Sequence, residues 1–352
     1  MSTKNTVLAV LEEHAGSAVS GEVLAQHCGV SRTAIWKAVH ALRQAGCSIT
    51  GSTNGGYILH NATDIINTER IFAYISKHYP QFSDITIECY PELDSTVTYA
   101  QRALANCGAL RGADGMLTAA GKRYHRALIV AEKQTAGRGR MGRTFISPQK
   151  TGIYLSVLYA PCGGISKPAR LTACAALAVC RAIKKLYAVD PRIKWVNDVF
   201  VHGKKVCGIL TEGVVSLESG IIESAIVGIG INIADNPASF PAELTHVAGS
   251  ITGNTAINSV GRAALAAEVV CQCLALFEGD THTAMQEYKQ LSFILGQRIE
   301  VCPVAGSTEA AYEATALDIT DDASLVVQLL DGTQQTLLSG EVSLRSAQFA
   351  EM

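Results

Sequence analysis

The chain has 352 residues, of which 48% are hydrophobic and 17% are charged, and its formal net charge is −2. This length fits two or three domains with sizeable cores, and the low charged fraction is typical of a compact globular protein. The near-neutral balance excludes a strongly basic nucleic-acid coat, so any contact with DNA has to be local.

The cysteines and the apolar runs of the sequence indicate the cellular compartment of the protein. The 11 cysteines are scattered and contain no Cys-x-x-Cys pair, which favours reduced thiols in a cytoplasm over a secreted disulfide scaffold. The longest apolar run, residues 171–180, is too short to span a bilayer, and the first residues lack a signal peptide. We therefore expect a cytoplasmic protein with no membrane partner.

The amino-terminal sixty residues predict a winged helix-turn-helix. Ser20 caps a helix over residues 21–28, Gly29 makes a tight turn, and a further helix follows over residues 31–45. In this pattern the second helix of the pair enters the major groove. Residues 49–59 contain an Asn-Gly-Gly turn and predict a two-stranded wing.

The second helix of this motif carries cations and no acid, which suits contacts with phosphates and bases. The residues that we expect to bind DNA are Ser31, Arg32, Thr33, Lys37 and Arg43. The alternative is a helical domain used for protein contact or dimerisation, because the whole segment is nearly neutral.

The central region alternates strand-like and helix-like runs. Strands are predicted at residues 85–90, 128–132, 152–159, 192–194, 205–212 and 225–232, and helices at residues 68–78, 96–106, 167–187 and 261–278. The Gly- and Ala-rich segment 107–126 is interpreted as a long surface hairpin or loop. This alternation predicts an α+β domain in which helices cover a mixed sheet.

The carboxy-terminal residues have a different pattern. Short β-favouring runs follow one another from residue 298 to residue 338, and Asp-Asp and Asp-Gly turns separate them. Short strands joined by tight turns predict a small β-barrel.

The segment 133–143, Lys-Gln-Thr-Ala-Gly-Arg-Gly-Arg-Met-Gly-Arg, combines four cations with three glycines and follows an apolar strand-like run. Glycines let backbone amides approach a ligand closely, and guanidinium groups bind phosphate or carboxylate as a planar fork. The segment, called the basic loop below, therefore predicts an anion-binding site. A solvated basic turn without a ligand is the alternative.

Two nucleotide-binding motifs are excluded for this region. Gly137-x-Gly139-x-x-Gly142 has the dinucleotide-fingerprint spacing, but Pro148 interrupts the helix that should follow, and no acid occurs between residues 143 and 190. A P-loop is excluded because Gly121-Lys122 lacks the upstream glycine spacing and the following Ser or Thr.

Further motifs accompany the basic loop, and each has an ordinary alternative. Asp94-Ser95-Thr96 ends a strand and could simply cap a helix. Lys-Trp-Val-Asn-Asp at residues 194–198, followed by Lys-Val-Cys-Gly-Ile-Leu at residues 205–210, could be an ordinary turn and hairpin. Gly-Ile-Gly-Ile-Asn at residues 228–232 leaves one strand face without bulk, which suits either a flat ligand or a tightly packed neighbour.

In this order the motifs resemble those of the biotin protein ligases. With the helix-turn-helix and the final Gly-Glu-Val-Ser-Leu-Arg at residues 340–345, the chain resembles bifunctional biotin ligases and biotin-operon repressors over nearly its whole length. The resemblance implies a winged helix-turn-helix at residues 1–63, a ligase catalytic domain with a mixed sheet at residues 64–295, and an SH3-like β-barrel at residues 296–352.

The resemblance also implies an activity and partners. The enzyme would activate biotin with ATP to biotinyl-5'-AMP and transfer biotin to a lysine of the biotin carboxyl carrier domain of acetyl-CoA carboxylase. It would repress transcription at biotin-operon DNA in response to biotin, and would form a homodimer when the adenylate is bound.

Residue roles follow from the same resemblance. The biotin-binding residues would be Ser95, Thr96, Val97, Gln134, Arg138, Gly139, Arg140 and Lys205. Those that bind ATP or the adenylate would be Arg143, Phe145, Asn197, Asp198 and Asn232. Catalysis would rest on Arg138, Arg140 and Lys205, while Mg²⁺ would be held by the phosphates beside Asn197 and Asp198.

The chain departs from the family pattern at two positions. Val97 replaces an Asn and leaves backbone groups alone to bind biotin there, so we expect weaker binding with activity retained. Val196 replaces a Pro, which frees φ and restores an N–H, so we expect a small shift of the turn. Two alternatives stay open: a lipoate or octanoyl ligase, and a biotin-sensing repressor that has lost ligase activity through Val97.

Overall fold

The computed structural model describes residues 3–44, 47–52, 55–60, 64–112, 114–215, 220–234, 247–253, 261–302, 310–338 and 340–344. Within these ranges none of the helices is long and apolar enough to cross a membrane.

The amino-terminal part is a winged helix-turn-helix. Its elements are α1 Thr3–Glu13, α2 Gly21–Cys28, α3 Arg32–Gln44, β1 Ile49–Ser52 and β2 Gly56–Leu59. The predicted cap of α2 is confirmed, since the Ser20 hydroxyl accepts a hydrogen bond from the amide of Val23 at 3.1 Å. Gly29 then turns the chain with a φ of 64°, a left-handed conformation that glycine adopts without steric cost. Strands β1 and β2 pair antiparallel as the predicted wing.

The central part is built on a seven-stranded mixed sheet with the order β3-β4-β5-β9-β8-β7-β6. Its strands are β3 Ile87–Tyr90, β4 Leu128–Ala131, β5 Gly152–Tyr159, β6 Arg192–Lys194, β7 Asp198–Val201, β8 Lys204–Val215 and β9 Ile222–Asn232. The pair β3–β4 is parallel and the other pairs are antiparallel. The predicted mixed sheet is confirmed, and β7 is an addition to the predicted strands.

Helices cover both faces of this sheet. They are α4 Thr68–His78, α5 Thr96–Asn106, α6 Ala119–Tyr124, α7 Pro168–Tyr187, α8 Arg262–Glu278 and α9 Thr281–Leu291. Helices α7 and α8 belong to the main apolar core, whereas α5 packs with a smaller core on the opposite face. Every residue of β5 is buried, as expected for a strand covered on both sides.

The interpretation of segment 107–126 as a surface hairpin or loop is wrong in part. Its second half contains α6, and Leu110 and Tyr124 join the smaller core beside α5. Gly121 lies against the carbonyl of Leu110, where a Cβ would come within 2.0 Å of the oxygen. The segment therefore closes an apolar cluster, and close packing explains the glycine at position 121.

The carboxy-terminal part is an antiparallel sheet of five strands in the order β13-β12-β11-β10-β14. The strands are β10 Arg298–Cys302, β11 Tyr312–Ile319, β12 Leu325–Leu329, β13 Gln334–Leu337 and β14 Glu341–Leu344. The short-strand pattern is confirmed, with β14 as an addition, while closure into an SH3-like barrel stays a prediction. Arg345 lies outside the described residues. The Trp195 indole donates to the carbonyl of Ala323 at 2.8 Å and so joins this sheet to the central domain.

Candidate active site

A cavity of about 260 Å³ lies on the face of the central sheet beneath the basic loop. It brings together every residue predicted to bind biotin or ATP. Its lining includes Ser95, Thr96, Val97, Gln134, Arg138, Gly139, Arg140, Arg143, Phe145, Asn197, Asp198, Lys205 and Asn232. These residues come from the start of α5, the basic loop and the residues just after it, the turn before β7, and strands β7, β8 and β9, so the fold gathers motifs that are far apart in sequence.

One end of the cavity is neutral and polar, and its side chains are fixed by each other. The Gln134 side-chain oxygen accepts from the amide of Thr96 at 2.8 Å, and its NH₂ donates to the Ser147 hydroxyl at 2.8 Å. Ser156, from β5, donates to the Thr96 hydroxyl at 2.9 Å. Because Gln134 is held at both ends, its orientation does not depend on a ligand.

Ser95 is buried, at 1% exposed, and its hydroxyl has no hydrogen-bond partner in the described part of the chain. It does not cap α5 with its side chain; the amide of Ser95 instead donates to the carboxylate of Asp94 at 2.8 Å. Hydrogen bonds from Arg102 hold the pKa of that Asp94 carboxyl below its usual value. An unpartnered buried hydroxyl in a cavity wall indicates a ligand with a matching polar group.

The glycines of β9 provide space that side chains already fill. A Cβ at Gly228 would come 2.4 Å from the Val97 side chain, and one at Gly230 would come 2.5 Å from the Phe145 ring. The interpretation as tight packing therefore holds at both glycines, and the flat surface is the Phe145 ring itself. Phe145 and Lys205 both lie next to Gly208, where a Cβ would be 3.4 Å from each side chain.

The other end of the cavity is cationic. The Arg140 guanidinium donates to the Asn197 side-chain oxygen at 2.7 Å and to the carbonyl of Gly340 at 2.9 Å, and both acceptors are neutral. The Lys205 ammonium is 2.7 Å from the carboxylate of Asp198, which also accepts from the Asn197 amide at 2.8 Å. This end therefore carries more positive than negative charge, which suits an anionic ligand.

Arg138 lies elsewhere on the cavity wall and is neutralised. Its guanidinium forms an ion pair with Glu212 at 2.8 Å and donates to the Gln101 side-chain oxygen at 3.2 Å. Neither Glu212 nor Gln101 was predicted as a site residue. Their signal was periodicity, because Gln101 is one helical turn beyond Val97 and Glu212 follows Leu210 on the same strand face.

The peptide bond between Trp195 and Val196 is cis. Asn197, which follows it, lines the cavity and donates to the carbonyl of Ile209 at 3.2 Å. The small shift of this turn that is expected from Val196 stays a prediction.

A magnesium ion fits the cationic end with help from phosphates. No group of three or more His, Cys, Asp or Glu side chains in the described ranges could hold a metal alone. Asp198 offers one carboxylate; the amide nitrogen of Asn197 faces this carboxylate, and its side-chain oxygen accepts from Arg140. Mg²⁺ is commonly bound by one or two carboxylates together with substrate phosphates, so this donor set is suitable.

The winged helix presents the predicted DNA-binding residues on one side of α3. Arg32, Thr33 and Lys37 are exposed there, together with Trp36, which is 55% exposed and was not predicted. Arg43 has a structural contact, since its guanidinium donates to the carbonyl of Ile49 in the wing at 2.7 Å. Ser31 acts as a cap and accepts from the amide of Ala34 at 3.3 Å.

The fold and site define a class: a winged helix-turn-helix joined to a catalytic domain of the biotin/lipoate ligase type. The profile of the biotin/lipoate A/B protein ligase family matches residues 120–232, that of an HTH domain matches residues 3–58, and that of the biotin protein ligase C terminal domain matches residues 294–345.

Individual relatives narrow this class. The bifunctional ligase/repressor BirA of Bacillus subtilis is 30% identical over 333 residues, which span 93% of this chain and 94% of that protein. BirA of Escherichia coli is 28% identical, with 94% of each chain covered. The chain therefore belongs to the family of bifunctional biotin ligase/repressors. Its fold is similar to that of a biotin protein ligase from Aquifex aeolicus in complex with biotin and ATP, with a TM-score of 0.56 and 24% identity over 74% of this chain and 98% of that one.

Proposed function

We propose that this protein activates biotin with ATP to biotinyl-5'-AMP and transfers biotin to a lysine of the biotin carboxyl carrier domain of acetyl-CoA carboxylase. The observation that carries the proposal is the chemical difference between the two ends of one cavity. The unpartnered Ser95 hydroxyl and the fixed Gln134 suit a neutral cyclic urea. Arg140 and Lys205 suit a carboxylate beside a triphosphate.

The chemistry requires few protein groups beyond these. A carboxylate oxygen of biotin attacks the α-phosphorus of ATP and pyrophosphate leaves, so two anions have to approach each other. Positioning and charge neutralisation dominate such a step, and Arg140 and Lys205 supply positive charge. The amine of the carrier lysine then attacks the acyl carbon of the mixed anhydride, and AMP leaves. No protein nucleophile is needed.

Magnesium belongs to this proposal as the ion of the ATP phosphates. When bound, it neutralises charge on the phosphate oxygens. Asp198 and Asn197 are the residues that would face it, since they lie together at the cationic end. Phe145 and Asn232 line the same cavity and would lie beside the adenine.

A measurement of ATP–pyrophosphate exchange with biotin and with lipoate tests the choice of substrate. We expect exchange with biotin; exchange with lipoate alone would overturn the proposal. Transfer of biotin to a carrier domain tests the competing case of a repressor without ligase activity. Transfer by the wild type excludes that case, and comparison with Val97→Asn measures the effect of the departure at this position.

Repression is the second part of the proposal. The exposed cations of α3 would contact biotin-operon DNA, and the adenylate would promote a homodimer whose two α3 helices reach successive half-sites. Among the relatives, the names of the BirA proteins pair ligase and repressor. Sedimentation with and without biotin and ATP tests the dimer, and a monomer under both conditions would refute it.

The three-domain division at residues 1–63, 64–295 and 296–352 and the cytoplasmic location complete the proposal. All 11 cysteines, each of which lies in a described range, are free thiols. Free thiols in this number suit a reducing compartment.

A further inference from the structure

Resting on the proposed ligase activity, we propose that Glu212 and Gln101 are positioning residues that hold Arg138 as a latch. In this assignment Arg138 keeps the basic loop closed over the cavity, while Arg140 neutralises the reacting anions. The two arginines of the Gly-Arg-Gly-Arg motif therefore perform different tasks.

The latch joins three separate segments. The Arg138 guanidinium contacts the Glu212 carboxylate at 2.8 and 3.4 Å and the Gln101 side-chain oxygen at 3.2 Å. The Gln101 side chain also donates to the Glu212 carboxylate, which closes a triangle of hydrogen bonds. One corner is on α5, one on β8 and one on the basic loop, so breaking the latch removes the Arg138 contacts with both, while the bond between Gln134 and Thr96 remains.

The latch lies at the end of the cavity away from Lys205. In the sheet register Leu210 pairs with Gly228, and Glu212 pairs with the next outward residue, Ile226. The Lys205 ammonium lies beside Gly208, and Glu212 is four residues further along this strand, a separation of roughly 13 Å at about 3.3 Å per residue. Arg138 is therefore anchored further along β8 than the Lys205 ammonium.

The charged and neutral partners of the two arginines also indicate that Arg138 and Arg140 have different roles. Arg138 is offset by a carboxylate, and an arginine already paired with an anion adds little to the neutralisation of a second one. Arg140 has neutral partners, Asn197 and the carbonyl of Gly340, so its charge is not offset by either contact.

A latch of this kind protects the product of the first step. A mixed anhydride hydrolyses when water enters, and an ordered loop excludes water. The Arg138 and Glu212 side chains are 42% and 22% exposed, and ion pairs this accessible contribute little to global stability. Loss of the latch is therefore expected to loosen the loop and to leave the fold intact.

The test uses the full chain with Arg138→Ala, Glu212→Ala and the exchanged pair Arg138→Glu/Glu212→Arg. We expect each single variant to raise the KM for biotin in pyrophosphate exchange, and to speed adenylate release, by about tenfold, which corresponds to about 1.4 kcal/mol. We expect kcat to change by less than about threefold, and the exchanged pair to recover most of the loss. Arg123→Ala, which removes an Arg–Glu pair with Glu88 outside the cavity lining, is the matched control.

Trypsin cleavage of the ligand-free protein provides a second measurement that does not depend on activity. Trypsin cuts after arginines of an opened basic loop, so Glu212→Gln should be cleaved there faster than the wild type. Unchanged cleavage would reject the latch. A kcat loss of about a hundredfold or more in Arg138→Ala, with no recovery in the exchanged pair, would also reject it, because Arg138 would then act on the reacting charges. Failure of the wild type to support exchange with biotin would reject the proposed function instead.

Discussion

Val97 packs its side chain onto Gly228, at a distance that leaves no room for a Cβ on the glycine. Val97 is 4% exposed and belongs to the apolar cluster between α5 and the sheet. The valine that departs from the family pattern is therefore part of the cavity wall. Position 228 requires glycine because the Val97 side chain occupies the space that a Cβ would need. A ligand contact is not needed to explain the glycine.

This contact predicts the effect of Gly228→Ala. The new methyl group would lie 2.4 Å from Val97, and overpacking of this kind costs about 1–3 kcal/mol in the free energy of unfolding. Val97 would also move into the cavity and raise the KM for biotin. The double variant Val97→Ala/Gly228→Ala should regain stability in urea denaturation. If the double variant loses as much as the sum of the single variants, the contact does not explain the glycine.

Arg262 suggests a second prediction, on stability. Its side chain is 1% exposed and contacts Asp64, Glu132 and the carbonyl of Gly152. Asp64 precedes α4, so the arginine ties the segment after the winged helix to the central domain. Removing one partner of a buried ion pair leaves an uncompensated charge and costs about 3–5 kcal/mol.

We therefore expect Arg262→Met to lower the free energy of unfolding by about this amount, as measured by urea denaturation of the full chain. Arg181→Met is the matched control, because the Arg181–Glu287 pair is about one-third exposed and should cost about 1 kcal/mol or less. Equal losses in the two variants would contradict the argument from burial.

The catalytic part of the proposal predicts the effect of Lys205→Met. Removal of a single charged group that stabilises a transition state lowers kcat by about 10²–10³-fold. Lys204→Met is the control, since this neighbouring lysine is exposed and does not line the cavity. Biotin-dependent pyrophosphate exchange measures both variants. A kcat for Lys205→Met within about threefold of the wild type would remove Lys205 from the catalytic step.

The sequence predicted that the motif residues lie together, but it did not predict that Arg138 and Arg140 have different roles. Arg138 and Arg140 are equivalent in the motif, and they differ because tertiary contacts give one of them a carboxylate and the other neutral acceptors. The Gly340 carbonyl, just before β14, is two hundred residues away from Arg140 in sequence, and no local pattern encodes that contact. The Ser95 hydroxyl was equally suited to a helix cap, and its burial became evident from packing alone.

One missed element did have a local signal. Helix α9 begins after Asp280, whose carboxylate accepts from the amide of Thr283 at 2.9 Å. It buries Ala284, Met285 and Tyr288 at helical spacing. The sequence therefore contained the information needed to predict this helix, whereas the contacts of Arg138 depend on the tertiary structure.

The exposed face of α3 predicts a salt-dependent contact with DNA. Each lysine that neutralises a phosphate contributes about 0.9 to the slope of log K against log salt concentration. We expect Lys37→Ala to reduce the slope by about this amount, measured with biotin, ATP and a DNA fragment selected by the full chain from a random pool. Lys77→Ala, which removes an exposed lysine on α4, should leave the slope unchanged. Equal slopes for both variants would exclude Lys37 from phosphate contact.

His125 predicts a pH dependence of stability. Burial, together with the positive charges of Arg126 and Arg111, lowers the pKa of its imidazole from 6.5 to about 4. Its ring nitrogen Nδ1 accepts from the amide of Ala160 at 3.2 Å, which fixes the neutral form. Between pH 6.5 and pH 4 the unfolded chain therefore binds more protons at this position than the folded chain does.

The stabilisation from His125 is fully present above pH 6.5 and is lost as the pH falls from 6.5 towards 4. We expect the free energy of unfolding to decrease less between pH 7.5 and pH 5 in His125→Asn than in the wild type, because the asparagine oxygen can accept the same hydrogen bond without titrating. His202→Asn replaces an exposed histidine with positive φ, which asparagine tolerates, and should follow the wild type. A His125→Asn variant with the wild-type pH dependence would show that this imidazole does not set it.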